Sequence, residues 1–477
     1  MRIASSRTRR IGLLGCGTVG ACFAATIARE RLRLAAETGI DVAIAKILVR
    51  RPNHPRALPH DLFTDRFEDV LAARPDVIVE VLGGLEPATS HIRRALEAGI
   101  AVVTANKTVI AHHGSSLQAL AAGRGTLLAY EAAVCAAVPI LSVLQQLRGD
   151  RVRSIHGILN GSTNYILTRM SSQPLSLSDA LIEAKERGLI EPDHTADLSG
   201  RDAAEKLAIL AREAGFDGID YGSIDVAGIE HVTADDILAA RRQGCTIKLV
   251  AVLERTTSAR GDEEISLRVG PMLVPRGHRL ATVDHARNAV IIDAELGGQL
   301  SIEGTGAGPR PTSSALIGDL LRIARLVRGG GTGSTPCPGD VDDLVGVSSE
   351  PSATPPKPVG KPIGTAHRYY IRAQVPPGLQ SPQDVIEAFR EAGIGLKSID
   401  LRSEVARVWT LPATRESVRS AVARISAQND TFVAPVLDPP GSSGNPEQSA
   451  GSGAGQQPLP PVQHHALVHL VRRRLSA

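Results

Sequence analysis

One stretch concentrates groups able to move a proton beside a bound amine. It runs Asn160-Gly-Ser-Thr-Asn-Tyr165, then Glu191, Asp197, Asp202 and Lys206, the charged residues spaced by six, five and four. Asp202 and Lys206 stand one turn apart, so a helix puts both side chains on one face. Ala203, Leu207 and Leu210 give that helix an apolar face for burial. One lysine beside three carboxylates suits proton exchange with a substrate oxygen next to a bound ammonium group. An ordinary lysine titrates at about 10.4, so its surroundings must adjust it before it works near neutrality. The competing reading is structural. Ser199 then caps the helix, Asp202 favours its positive end, and Asp202–Lys206 is a surface ion pair worth about 0.3 kcal/mol. Glu191 and Asp197 become solvated loop carboxylates.

The elements that position such a site begin at the N-terminus. Ile11-Gly-Leu-Leu14 reads as a strand, Gly15-Cys-Gly17-Thr18-Val19-Gly20 follows, and a helical pattern runs through Ala28. The first glycine permits the tight turn, the second admits a pyrophosphate to the backbone, and the third lets helix pack on strand. The phosphates then lie at the helix N-terminus. A second strand, Val42 to Val49, ends in Arg50-Arg51, with no acid until Asp61. An acid there holds the ribose of NAD, whereas an arginine accommodates a 2′-phosphate. The residues favour NADP, with NAD left open. Strand Val77–Leu82, helix Pro87–Ala98 and strand Ala101–Val103 lead to Thr104-Ala-Asn-Lys107. A lysine just past a parallel strand lies on the edge where ligands bind.

Length and composition bound the rest. With 477 residues the chain should hold two or three domains. A net charge of +3 and 3% aromatics give no footprint for nucleic acid. Five cysteines, at 16, 22, 135, 245 and 337, are odd in number and lack metal-ligand spacing, which suits reduced thiols in the cytoplasm. Neither a signal peptide nor a membrane-spanning run is found, so a soluble protein is expected.

The expected architecture is α/β. Residues 1–150 form a Rossmann dinucleotide-binding domain, completed by 300–327. Residues 151–300 form an α+β substrate and dimerisation domain, with strands at 154–159, 246–253, 265–269 and 290–296 and helices near 177–187 and 202–214. Glu303-Gly-Thr-Gly306-Ala-Gly308 looks like a second phosphate loop before a helix from Ser313 to Leu326. Residues 328–364, rich in Gly, Ser, Thr and Pro, read as a linker. Residues 365–437 read βαββαβ, a ferredoxin-like module, and 438–477 as a disordered tail.

The run Leu159-Asn-Gly-Ser-Thr-Asn-Tyr-Ile166, with Glu191-Pro-Asp193, Asp197-Leu-Ser-Gly-Arg-Asp202 and Ala204-Glu-Lys-Leu-Ala-Ile-Leu210, closely resembles the substrate-binding core of the homoserine dehydrogenase family. Thr104-Ala-Asn-Lys107 is similar to that family as well. The resemblance implies an NAD(P)-dependent interconversion of L-homoserine and L-aspartate 4-semialdehyde by hydride transfer, in threonine, methionine and isoleucine biosynthesis. Lys206 and Lys107 are then the catalytic lysines, and Glu191, Asp197 and Asp202 bind substrate, with Glu191 and Asp202 holding its ammonium and Asp197 orienting Lys206 or its water. Lys107 also borders the nicotinamide, and Gly306 belongs to the segment that closes over the cofactor. A strand from Thr126 to Tyr130 runs into Glu131, and in the family the turn there holds a monovalent cation such as Na+. The matching ligands are Glu131 and the carbonyls of Val134, Ala136 and Val138, although glycines are usual where this chain has Cys135-Ala136-Ala137. Arg372-Ala-Gln-Val-Pro-Pro-Gly-Leu379 resembles the opening of an ACT domain, which implies an amino-acid effector such as threonine. A homodimer or homotetramer is expected. A non-catalytic amino-acid sensor on the same fold is the rival reading, and another semialdehyde oxidoreductase a second. Two lysines kept beside three carboxylates favour the enzyme.

Overall fold

The structure is a computed structural model that describes residues 8–190, 193–216, 219, 221–257, 263–326, 366–376, 381–402, 404–426 and 431–437. Glu191, the 328–364 linker, the 377–380 part of the ACT-like opening and the 438–477 tail lie outside the described residues.

The N-terminal layer contains β1 (Arg9–Leu14), α1 (Thr18–Thr38), β2 (Val42–Leu48), β3 (Phe63–Thr64), α2 (Phe67–Ala72) and β4 (Val77–Glu80). It continues with α3 (Ala88–Glu97), β5 (Ala101–Thr104), α4 (Lys107–Gly123), β6 (Leu128–Ala129) and α5 (Ile140–Gln146). The strands pair in parallel in the order β3-β2-β1-β4-β5-β6, that of dinucleotide-binding sheets. Successive strand residues feed opposite cores, as a sheet covered on both faces requires. Ile11, Leu13, Val77 and Val79 join Phe23 and Ile27 of α1 on one side, and Leu14, Ile78 and Val102 join residues of α2, α3 and α4 on the other.

A second sheet follows. Its elements are β7 (Val152–Ile158), α6 (Gly161–Ser172), α7 (Leu177–Glu186), α8 (Thr195–Leu198), α9 (Arg201–Glu213), β8 (Asp225–Val226) and α10 (Ala234–Arg242). Then come β9 (Cys245–Thr257), β10 (Glu263–Pro275), β11 (Arg287–Ala294), β12 (Gly298–Thr305) and α11 (Pro309–Leu326). The order is β12-β11-β7-β9-β10-β8, antiparallel except where β8 meets β10. Helix α11 returns to the first layer, where Leu316, Leu320 and Ile323 pack into the core of α1. Helix α9 is wedged between α4 and β9, so every residue from Asp202 to Ala211 is buried.

The C-terminal module is β13 (Tyr369–Gln374), α12 (Pro382–Glu391), β14 (Leu396–Arg402), β15 (Val405–Thr410), α13 (Arg415–Ile425) and β16 (Thr431–Pro435). Its order, β14-β15-β13-β16, is the ferredoxin-like arrangement of a βαββαβ chain. One sheet face holds the module's own core around Phe389 and Ile371; the other, with Tyr370, Trp409 and Phe432, merges with the main core. A buried pair fastens it there. Arg372 Nε donates to Asp236 at 3.1 Å, and the Tyr370 hydroxyl donates to the same carboxylate at 2.9 Å.

Several sequence expectations change. Helix α1 runs on to Thr38, because Gly39 in the left-handed region supplies its stop. Helix α9 is capped by Gly200 at φ 80° with no side-chain bond, not by Ser199. Glu303–Thr305 is the end of strand β12 rather than a phosphate loop, since β12 pairs along its length with β11. Helices α6 and α10 were not anticipated. Among the described residues no helix is long and apolar enough to cross a membrane.

Candidate active site

The glycine loop between β1 and α1 has the backbone its sequence requires. Gly15 sits at φ +101°, and a Cβ there would meet the Val81 carbonyl oxygen at 2.8 Å. A Cβ on Gly20 would fall 2.2 Å from the Gly15 oxygen, so this glycine sets the packing of helix on loop. Around Gly17, the N-cap of α1, a Cβ would meet nothing within 4 Å, and no side chain caps the helix. The first-turn N–H groups, from Thr18 and Val19 onward, are therefore left to an anion. The loop opens on a cleft of about 570 Å³ that Arg50, Arg51 and Arg56 also line. These residues fit a dinucleotide.

Arg56 is a residue the sequence reading missed. Its guanidinium donates to the carbonyls of Arg51 and His54, each at 2.9 Å, and lies 4.8 Å from the centre of the Phe63 ring. These contacts hold the cation in place before any ligand arrives. An arginine in an irregular loop carries no pattern that would have singled it out.

The lysine–carboxylate cluster assembles from four helices, α4, α6, α8 and α9. Asn106 caps α4 by accepting from Val109 N at 3.2 Å and is itself tied to Gly84 O at 2.8 Å. That sets Lys107 at the first position of α4, beyond the carboxyl end of β5. Lys206 projects from α9 and donates to Asp202 Oδ2 at 2.8 Å and to the Leu159 carbonyl at 2.7 Å. Lys107 Nζ lies 3.3 Å from the other oxygen, Asp202 Oδ1. Asn160, the cap of α6, spans two acids, donating to Asp197 at 2.7 Å and to Asp202 at 2.8 Å. Asp202, not Asp197, is thus the carboxylate bonded to Lys206. Glu191, the third expected carboxylate, lies outside the described residues.

Electrostatics follow from this geometry. Lys206 is only 8% exposed. Burial disfavours its charge, but Asp202, Cys135 and Asp197 more than offset that, so its pKa is raised. Burial also works against Asp202, yet Lys206, Lys107 and Asn160 bring its pKa down to about 2. Asp197 moves the other way, pushed up by burial and then by the charge of Asp202. The resting site is an ammonium locked to a carboxylate, with Asp197 less committed than Asp202.

Two further residues support Lys206 from behind. Asn288 Nδ2 donates to the same Leu159 carbonyl at 2.9 Å and to Cys135 Sγ at 3.2 Å. Gly306, expected beside the cofactor, backs Asn288: a Cβ there would stand 2.1 Å from its side chain. The signal for Asn160 was present, since Asn is a favoured cap. Asn288 gave none, because its partners are more than a hundred residues away in sequence.

The turn expected to hold a monovalent cation is only partly suited to it. Both oxygens of Glu131 are taken by the start of α5, accepting from Leu141 N at 2.9 Å and from Ser142 N at 2.8 Å. The Val138 carbonyl accepts from Ile140 N at 2.7 Å. The carbonyls of Val134 and Ala136 accept no hydrogen bond among the described residues. Cys135 and Ala136 both adopt positive φ, 54° and 42°, where glycine would be free of a strain of roughly 1–2 kcal/mol each.

A nicotinamide reaction needs a proton partner at the sheet edge that holds the dinucleotide, and the two meet here. Fold and site together define an NAD(P)-dependent oxidoreductase. Residues 15–131 match the family described as homoserine dehydrogenase, NAD binding domain, and residues 139–321 match homoserine dehydrogenase. The homoserine dehydrogenase of Mycobacterium leprae is 42% identical over 68% of this chain and 74% of its own. That of Corynebacterium glutamicum is 36% identical over 87% of this chain and 90% of its own. The solved homoserine dehydrogenase of Thiobacillus denitrificans superposes with a TM-score of 0.78 at 29% identity, covering 91% of this chain and 99% of its own. The chain belongs to the homoserine dehydrogenase family.

Proposed function

We propose that Lys206 exchanges the proton of the substrate oxygen while L-homoserine and L-aspartate 4-semialdehyde interconvert. The observation that carries this is the buried Lys206–Asp202 pair at the carboxyl edge of the dinucleotide sheet. A bound nicotinamide supplies the hydride acceptor or donor. In the reducing direction the Lys206 ammonium gives its proton to the carbonyl oxygen; in the oxidising direction the neutral amine takes the hydroxyl proton. Lys107 provides a second cation toward that oxygen, where developing charge is best stabilised. Asp202 holds both lysines, which leaves Asp197, with Glu191, for the substrate ammonium. A spectrophotometric assay with homoserine and with aspartate semialdehyde tests the reading; absence of dinucleotide-linked turnover with either overturns it.

NADP is the proposed cofactor, on the strength of Arg50, Arg51 and the anchored Arg56. A hyperthermophilic archaeal homoserine dehydrogenase solved in complex with NADPH superposes with a TM-score of 0.56 at 27% identity. A monovalent cation at the Val134–Val138 turn rests on the open carbonyls of Val134 and Ala136, and no step of the reaction is routed through it. The C-terminal module is proposed as an ACT-like regulatory unit answering to an amino acid such as threonine, in a homodimer or homotetramer. Cys16, Cys22, Cys135 and Cys245 are free thiols, in keeping with a cytoplasmic setting.

A further inference from the structure

A second cleft, remote from the lysine cluster, combines desolvated positive charge with an unmet hydrogen-bonding group. It lies between β10 and the C-terminal module and has a volume of about 200 Å³. Its arginines differ in standing. Arg415 grips Asp225 through both terminal nitrogens. Arg268 on β10 has no carboxylate partner among the described residues, and its guanidinium reaches the Met272 sulfur at 3.9 Å. Burial pulls the pKa of Arg268 down, although Tyr369, Glu254 and Asp225 oppose this. Arg419, exposed on α13, adds another positive charge at the rim. The Tyr369 hydroxyl, close to Arg268, is buried without a well-formed hydrogen bond. The remaining wall is apolar, with Met272, Val418 and Val433.

A partly buried guanidinium seeks a carboxylate or phosphate, and the apolar wall asks for a hydrocarbon body attached to it. A cleft of about 200 Å³ suits a small molecule rather than a nucleotide. We propose that this cleft binds a small carboxylate with a short branched chain, the carboxylate on Arg268 and Arg419 and the chain against Met272, Val418 and Val433.

The cleft also touches the active-site scaffold. Its wall at Asp225–Ala227 backs directly on Gly200, where a Cβ would stand 3.2 Å from the Ala227 oxygen. Ile229 N donates to the Leu198 carbonyl at 2.8 Å. Leu198 and Gly200 lie within the turn that joins Asp197 to Asp202, so a ligand shifting β8 would shift the substrate carboxylates. Occupancy should therefore change the KM for homoserine. This coupling rests on the proposed role of Asp197; the binding does not.

Isothermal titration of the full-length protein with sodium isovalerate tests the site, with 3-methylbutan-1-ol and inorganic phosphate as comparisons. Isovalerate should bind saturably at one site per chain, and both comparison compounds at least tenfold more weakly. Arg419→Glu, an exposed change that spares the fold, should weaken isovalerate at least tenfold, and Arg268→Gln likewise. No saturable isovalerate binding would overturn the proposal. So would binding unchanged in both variants, since the carboxylate would then sit elsewhere, such as on the active-site lysines. Because the readout is binding, it is independent of which substrate the enzyme turns over.

Discussion

Asp202 holds both lysines of the site at once: its Oδ2 accepts from Lys206 Nζ at 2.8 Å while its Oδ1 lies 3.3 Å from Lys107 Nζ. One lysine comes from the same helix and the other from the dinucleotide layer, so this carboxylate ties substrate chemistry to cofactor edge. Asp202 is also the largest influence raising the pKa of Lys206 against burial.

The first prediction follows from that sign. Homoserine oxidation needs the neutral amine, so its rate should rise as pH climbs through the pKa of Lys206, while semialdehyde reduction falls. In Asp202→Asn the supporting charge is gone, the lysine pKa drops, and the rising limb should move to lower pH. Turnover should also fall by roughly 10²-fold as the lysine loses its anchor. pH–rate profiles of both proteins measure this; a limb that stays in place would show that another group titrates.

Cofactor choice gives the second. A charge-assisted contact to a 2′-phosphate contributes roughly 1.5–3 kcal/mol, enough for more than tenfold discrimination. Arg50→Asp should lower kcat/KM for NADP at least tenfold and leave NAD unchanged or improved. Arg56→Ala should lower NADP use as well, because its guanidinium is anchored in place. Equal use of both dinucleotides by the wild type, unaltered in either variant, would place these arginines in solvent.

The third concerns the back of the site. Gly306→Ala drives a methyl into Asn288, which the tight packing there cannot accommodate without displacement. Such overpacking costs typically about 1–3 kcal/mol. Asn288 shares the Leu159 carbonyl with Lys206, so turnover should fall more than dinucleotide affinity. A rise in the KM for NADP with unchanged turnover would instead return Gly306 to the cofactor.

What the sequence disclosed depended on how local each cause was. Gly15, Gly17 and Gly20 were legible because turn, close approach and helix packing are all settled within six residues. Asp202 and Lys206 were legible as one helix face, yet their division of labour was not. It depends on Lys107 from another layer and on Asn160 bridging two acids. The end of strand β12, Glu303–Thr305, was read as a loop because Gly304 and the glycines after it hide the alternation that pairing with β11 imposes. The packing of Gly306 on Asn288 was not legible because the two meet only once strands β11 and β12 pair, and Arg56 was missed because an arginine in an irregular loop carries no pattern.

A stability prediction comes from Asp319, which links α11 to the first layer by accepting from Glu131 N at 2.8 Å. Burial raises its pKa to about 6, although Arg322 opposes this. The folded state therefore holds the proton more tightly than the unfolded chain, whose aspartates titrate at about 3.9. The contribution is fully present below that value and lost as pH rises through about 6, on the order of 3 kcal/mol in all. Asp319→Asn keeps the acceptor without the charge. Its melting temperature relative to wild type should climb between pH 4 and pH 7; a flat difference would mean that the carboxyl is not held protonated.

The central claim is that Lys206 carries the proton in a homoserine dehydrogenase. Its most direct test is the steady-state rate of NADPH formation from L-homoserine by wild type and Lys206→Ala, with NADP binding measured alongside. The variant should bind NADP as the wild type does and lose turnover by roughly 10²-fold or more, as removal of a proton-transfer group does. Near-normal turnover in the variant would contradict the account.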